Sequence, residues 1–257
     1  MTIHARVLGV AQDAGVPHAG CSCPRCEGHR AAPLFPACLG LVGQRTYLID
    51  ATPAFPDQIR MLPAFPSAIL LTHTHMGHVT GLLQLGEEAC DSRDVAVHAT
   101  PQVCELLARN EPWRRLVERR NIRLVSLDAG TSVRLEEGLD VESFPVRHRD
   151  VETVGYLVKG PRRTLLYLPD IDRWDLDLPA LLNRCDLALL DGSFYSRDEL
   201  PRQGDIPHPP ITETLDLLAP EEAAKVRFTH FNHTNPVLDP DGPSVLAAVQ
   251  GETIPLD

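Results

Sequence analysis

Apolar residues along this chain gather in short runs cut by proline, glycine and aspartate, with spacings that switch between strand-like and helix-like. Residues 1–10 read as a first strand, followed by a long loop, 11–36. Segments 38–42 and 46–50 form a predicted hairpin turning at Gly43-Gln44, with Asp50 closing its second arm. Residues 67–72 are a further strand, 79–89 a helix and 94–98 a strand. Helices are predicted over 101–110 and 112–119, the second opening on a proline whose missing N–H is no loss at that position.

The second half begins with strand-like runs at 122–127, 132–135, 139–145, 153–159 and 164–168, with a turn at Gly160-Pro161 between the last two. A helix over 178–183 leads into Leu187-Ala188-Leu189-Leu190-Asp191, an unbroken apolar run of the kind buried on both faces of a sheet. The loop 192–210 carries His208; a helix over 211–218, a strand over 225–229, a histidine-rich turn and a last helix over 243–249 complete the pattern. Strands in both halves, with helices at intervals, predict an α+β protein of two sheets covered on their outer sides by helices. The whole of 1–257 is expected to be a single domain.

Composition narrows the function. No apolar stretch approaches the roughly 18 residues that span a bilayer, and the N-terminal strand lacks the form of a secretory signal, so a cytoplasmic location without membrane insertion is expected. A net charge of −11 opposes attraction to a phosphate backbone, which argues against nucleic acid as partner. Five arginines do crowd the segment 113–123, and a solvated helix face accounts for them. A small-molecule substrate is the expected partner, with a homodimer as an open arrangement.

The chemistry concentrates in two places. Thr72-His73-Thr74-His75-Met76-Gly77-His78 sets three imidazoles directly after a strand. His73 and His75 are two apart and point the same way in extended chain, while His78 falls at the start of a helix, so a turn there converges the rings on a metal. Cys21-Ser22-Cys23-Pro24-Arg25-Cys26 packs three of the seven cysteines too tightly for a disulfide framework. C-x-C-x-x-C needs one more ligand, commonly a histidine, to close a tetrahedral structural zinc site; a redox loop is the rival reading. Cys38, Cys90, Cys104 and Cys185 read as small buried hydrophobes.

Taken in order, Asp50 before the histidine loop, His73, His75 and His78 in an H-x-H-x-x-H run, His148 after a strand, Asp170 in Tyr167-Leu168-Pro169-Asp170, and His230 ending the last strand form a set. That set resembles the metallo-β-lactamase fold superfamily, an αβ/βα four-layer sandwich with a metal site along one edge. The cysteine loop together with His230-Phe231-Asn232-His233 is similar to the branch that holds a cyclic-phosphate phosphodiesterase of phosphonate metabolism and the B protein of pyrroloquinoline quinone biosynthesis. The turn Asn232-His233-Thr234-Asn235-Pro236 looks more like the quinone-biosynthesis side, whereas the histidine motif looks more like the hydrolases.

The resemblance implies that His73, His75 and His148 hold one divalent ion (zinc, manganese or iron), and that His78, Asp170 and His230 hold a second, with Asp170 bridging. It implies that His233 joins Cys21, Cys23 and Cys26 around a structural zinc, and that Asp50 hydrogen-bonds the 72–78 loop. Asp170 would orient the attacking water, and His208 stands where related phosphodiesterases present a general acid. The family's aspartate before the last histidine of the motif is absent, replaced by Gly77, so the second site is expected to be weak, altered in metal preference or empty. Three functions follow as expectations: a metal-dependent hydrolase of a phosphodiester or ester-like small molecule; an iron-dependent oxygenase or oxidase of quinone-cofactor biosynthesis; and a non-catalytic zinc-stapled scaffold.

Overall fold

The structure, a computed structural model, describes residues 2–199 and 207–257. The first sheet takes β1 (His4–Gly9), β2 (Cys38–Val42), β3 (Thr46–Ile49), β4 (Ala68–Leu70), β5 (Val95–Ala99) and β6 (Ile122–Ser126) in chain order, and β13 (Thr253–Pro255) closes its edge beside β1. Strands β3 to β6 are parallel. The second sheet runs β12-β11-β10-β9-β8-β7, where β7 is Ser132–Glu136, β8 Leu139–His148, β9 Val151–Lys159, β10 Thr164–Leu168, β11 Leu187–Asp191 and β12 Val226–Thr229. Here β10, β11 and β12 are parallel, and β8 and β9 form a long hairpin.

The alternation of side chains along each strand divides the core. Val7, Leu39, Leu41, Tyr47, Ile49 and Leu70 face the second sheet and join its Tyr156, Val158, Leu165 and Tyr167 in one cluster, with the Tyr156 hydroxyl donating to Leu71 O at 2.6 Å. Their neighbours Leu8, Cys38, Leu48, Ile69, Leu71 and Val97 face the other way. There they meet α4 (Pro101–Arg109), α5 (Trp113–Glu118) and the turns over 76–85 through Val79, Leu82, Leu85, Val103, Leu107 and Leu116. Both faces of the first sheet are thus dry, which explains why its strands read as continuous apolar runs. Helix α4 starts where Thr100 caps the backbone N–H of Val103 and Pro101 occupies the first turn, and it buries Val103 and Leu107, one turn apart. On the second sheet, α6 (Leu178–Leu182) and α7 (Ile211–Asp216) add Leu178, Leu182 and Ile211.

Several expected elements change. The helix foreseen over 79–89 is a short α3 (Met76–Val79) continuing as a 3-10 turn, Thr80–Leu85. The cysteine loop contains α1 (Pro24–Gly28), and two short helices unmarked in the pattern, α2 (Phe55–Arg60) and α8 (Pro220–Ala223), appear. The last helix does not form: within 243–249 the chain is irregular, its Ala247 bridging to Phe228, and it ends instead in β13. Cys38 and Cys185 are buried as expected, Cys104 is partly so, and Cys90 is exposed. The arginines of 114–120 lie at the surface and pair with Glu87, Glu111, Glu118 and Asp94.

Candidate metal centre

The site is assembled where strands end. Asp50 follows β3, Thr72 and His73 follow β4, His148 closes β8, Asp170 follows β10, Asp191 closes β11 and His230 follows β12. All are carboxyl ends, where helix and loop connections leave a crevice in an α/β sheet. Asp50 and His230 turn out of their strands with φ of 71° and 64°, and His208 sits at φ 105°. Such left-handed backbone at non-glycine residues is held only where the surroundings fix it.

Around Asp170 the predicted ligands converge. Its Oδ2 lies 3.1 Å from His78 Nε2, 3.2 Å from His230 Nε2 and 4.0 Å from His73 Nε2, and its Oδ1 lies 3.4 Å from His148 Nε2. His75 Nδ1 stands 3.2 Å from His148 Nε2. His73, His78, His148, His230 and Asp170 are buried, and His75 is half-buried, so the cluster opens on the His75 side. A cavity of about 470 Å³ lies there, lined by Asp13, His75, Met76, Arg149, Asp150 and Val151.

The hydrogen bonds around the rings fix which nitrogen is left bare. His78 Nδ1–H donates to Asp50 Oδ2 at 2.8 Å, and His148 Nδ1–H to Asp172 Oδ1 at 3.1 Å. Thr72 Oγ1 donates to Asp50, so it accepts from His73 Nδ1 at 2.9 Å. Ser193 Oγ donates to Asp191 Oδ1 and accepts from His230 Nδ1 at 2.9 Å. Each ring therefore turns an Nε2 lone pair inward. Among the described residues, His73, His78 and His230 Nε2, with Asp170 Oδ2 and Asp13 Oδ1, are buried atoms without a hydrogen-bond partner. Several lone pairs facing one another without protons between them repel unless a cation lies among them.

The spacings fit that cation. Metal–nitrogen and metal–oxygen bonds of about 2.0–2.2 Å place neighbouring ligand atoms about 2.9–3.4 Å apart in octahedral to tetrahedral geometry. The separations of 3.1, 3.2 and 3.4 Å above fall in that window. Charge agrees as well. Burial holds His73, His75 and His230 below the usual imidazole range, which keeps them neutral donors. Burial also pushes His78 down, but the carboxylates of Asp50 and Asp170 outweigh it and lift the group well above its ordinary value, marking a site that favours positive charge.

The second cluster is the cysteine one. Cys21, Cys23 and Cys26 Sγ lie 3.6, 3.7 and 3.5 Å from His233 Nδ1. A tetrahedral zinc with bonds of about 2.3 Å to sulfur and 2.0–2.1 Å to nitrogen sets that edge at about 3.6 Å. The donor set and its spacing match those of a structural zinc site. His18 stacks on His233 with ring centroids 4.0 Å apart, so it faces this cluster.

Asp50 accepts from Thr72 N–H at 2.8 Å as well as from His78 Nδ1 at 2.8 Å. Arg149 lines the cavity, whereas Tyr195 packs against the core and Arg147 meets Asp172 only through its backbone carbonyl. Of the segment around His208, residues Asp205 and Ile206 lie outside the described residues. His208 itself is buried, with Nδ1 2.6 Å from Asp191 Oδ2 and 3.9 Å from Asp170 Oδ1. Burial pushes it down and the Asp191 carboxylate overrides this, raising its pKa above the ordinary value.

Four residues escaped the sequence reading, the first being Ser193 behind His230. Asp191 ends an apolar strand with no motif about it, yet it also accepts from Ile171 N–H at 3.1 Å and Ser193 N–H at 2.9 Å. Asp172, two residues after Asp170, anchors His148. Asp13 comes from the N-terminal loop to within 3.4 Å of His78 Nε2. For it the one signal was indirect: a motif lacking its carboxylate.

Two layered sheets with a histidine and carboxylate cluster at the strand ends define a metallo-β-lactamase-type fold. The chain belongs to the beta-lactamase superfamily: the family described as "Beta-lactamase superfamily domain" matches residues 45–231. The coenzyme PQQ synthesis protein B of Cupriavidus necator is 28% identical to it, over 93% of this chain and 92% of that one. The protein of the same name from Methylobacterium nodulans is 29% identical over 92% and 91%. Among solved structures, zinc-bound PqqB from Methylobacterium extorquens superposes with a TM-score of 0.81 at 24% identity, covering 98% of this chain and 99% of that one. A diphosphatase from the PhnP family superposes at 0.75 with 20% identity, covering 99% and 97%.

Proposed function

We propose that this protein is a metal-dependent hydrolase of a small phosphodiester or related ester, holding one divalent ion at His73, His75 and His148 and a second at His78, His230 and Asp170. The observation that carries this reading is the convergence of the Nε2 atoms of His78 and His230 on Asp170 Oδ2, all three without a hydrogen-bond partner among the described residues. A divalent ion there supplies a Lewis acid and lowers the pKa of water toward about 7. The chain's own groups do the rest. Asp170, central to the cluster, orients the nucleophile, and Asp50, Thr72, Asp172 and Ser193 hold the imidazoles in the donating tautomer. His208, whose pKa the Asp191 carboxylate raises against the opposing effect of burial, donates a proton from its other ring nitrogen to the departing oxygen. Arg149 at the rim offers a cation to an anionic substrate entering past His75.

The test is turnover of bis(p-nitrophenyl) phosphate by protein loaded with zinc, manganese, iron or cobalt. Turnover that His75→Ala abolishes together with pocket metal supports the reading; metal bound without turnover of any diester refutes it. His75→Ala also separates the scaffold reading, under which only the cysteines bind metal and the variant loses none.

A second reading draws on the relatives, which carry the name coenzyme PQQ synthesis protein B at 27–29% identity, and on the Asn232–Pro236 turn. On that reading the histidines and Asp170 hold ferrous iron for an oxygenase or oxidase step in quinone-cofactor biosynthesis. Anaerobic loading with ferrous iron followed by oxygen-uptake measurement separates the two. Oxygen consumption dependent on a precursor favours the second reading, and its absence removes it.

A further inference from the structure

The weakest point of the metal-ligand set read from the sequence is Gly77, which stands where the family's motif has a carboxylate. The fold answers it from a distant part of the chain. Beyond β1 the backbone continues in register with the segment after β12: Phe231 N–H donates to Val10 O at 2.7 Å, and Gln12 N–H to Phe231 O at 2.9 Å. A tight turn follows, closed by Gly15 N–H to Gln12 O at 2.7 Å, with Gly15 at φ 72°. Asp13 sits on that turn, and its carboxylate falls beside the motif helix.

The fit between the two residues is close. A Cβ at Gly77 would lie 2.2 Å from Asp13 Oδ1, 2.4 Å from Asp13 Cα and 2.9 Å from Asp13 Cβ. Gly77 has no left-handed backbone to excuse a glycine; what demands it is the space that Asp13 fills. Asp13 Oδ1 is buried without a hydrogen-bond partner among the described residues, 3.4 Å from His78 Nε2, and groups with His78 and His230 closely enough to share an ion. That distance lies at the upper end of the separation expected for two atoms bound to one divalent ion.

Building on the two-ion reading above, we infer that Asp13 is the carboxylate ligand of the second ion, transferred from the motif helix to the N-terminal loop, and that Gly77 exists to admit it. The second ion then has His78, His230, Asp13 and the shared Asp170, two imidazoles and two carboxylates. This supplies the anionic donor that the motif alone lacks. The expectation of a weak or empty second site, drawn from Gly77 alone, is replaced by one of a complete site.

The experiment measures metal stoichiometry and affinity by elemental analysis and competitive titration with Mn(II), on full-length protein whose cysteine cluster carries zinc. Electron paramagnetic resonance of the Mn(II) form gives a second readout, since two adjacent ions couple magnetically. Parent protein should bind two pocket ions with a coupled spectrum. Asp13→Asn, isosteric but neutral, should weaken one ion by about 100-fold, leave the other in place and abolish the coupling. Gly77→Ala removes no ligand, yet its methyl group should displace Asp13 and give the same single-ion protein. Should Gly77→Ala fail to fold, Asp13→Asn decides alone. Two ions bound with unchanged affinity in Asp13→Asn overturns the inference while leaving the hydrolase reading intact. A parent pocket with one ion overturns it too, and a parent pocket with none overturns both.

Discussion

At the scale of single residues, function rests on which ring nitrogen carries the proton. Asp50 is the plainest case: fully buried, it accepts from Thr72 and from His78 Nδ1 and so turns His78 Nε2 toward the cluster. Asp50→Ala should lower metal affinity at the second ion by about 10–100-fold, read by competitive titration; unchanged affinity would show that packing alone orients the ring. His208 is separable by leaving group. In His208→Ala, hydrolysis of a p-nitrophenyl diester, whose leaving group needs no proton, should fall little, whereas an alkyl ester should lose about 10²–10⁴-fold. Equal losses on both would remove the general-acid role. Asp191 sets the sign of the accompanying pH effect. Its carboxylate raises His208, so the acid form persists above the usual imidazole range. Asp191→Asn removes that support, and the alkaline limb of kcat/KM should move to lower pH.

At the scale of elements, the loop bearing the cysteines is anchored to the turn after β12 by one cluster. The Cys23 thiol is pushed down to about 6, first by the backbone N–H of Cys26 and then by His233, and burial pushes Cys26 up to about 11. At about pH 7.5 Cys23 is therefore already thiolate and Cys26 still a thiol, so zinc binding must release at least the Cys26 proton. Apparent zinc affinity should fall about tenfold or more per unit decrease in pH, with a steeper slope below about 6 where Cys23 also takes up a proton. A chelator titration across pH reads the slope; a flat profile would argue against thiolate ligation by Cys26. Cys23→Ser should lower the melting temperature by about 5 °C or more, because structural zinc contributes folding free energy directly. Equal melting of variant and parent would contradict that role.

At the scale of the whole molecule, one core serves both sheets and one seam joins their strand ends. Leu48, fully buried between the first sheet and its helices, tests the dry outer face: Leu48→Ala should cost about 2–5 kcal/mol in denaturant unfolding. A loss below 1 kcal/mol would mean the helices pack loosely there. The seam is where the candidate metal ligands meet, since the first sheet supplies His73, His75 and His78 and the second supplies His148, Asp170 and His230.

Much of this was legible in the chain itself. Strands β2, β10 and β11 were found at their bounds because both their faces are buried and the apolar run is unbroken. The histidine run and the cysteine triplet stood out because their donor groups are neighbours in sequence. The final helix misled because the spacing within 243–249 suits a helix, whereas there the backbone pairs with β12 through Phe228. Asp13, Asp172 and Asp191 carry no local signature: a carboxylate on a turn or at a strand end looks the same whether it meets water or an imidazole. The sequence determined the strand pattern, the donor types and the absence of a carboxylate at Gly77, since these are properties of adjacent residues. Only the tertiary structure decided which distant carboxylates meet the imidazoles, because Asp13 and Gly77 come to share one space only when folding lays the N-terminal turn against the motif helix.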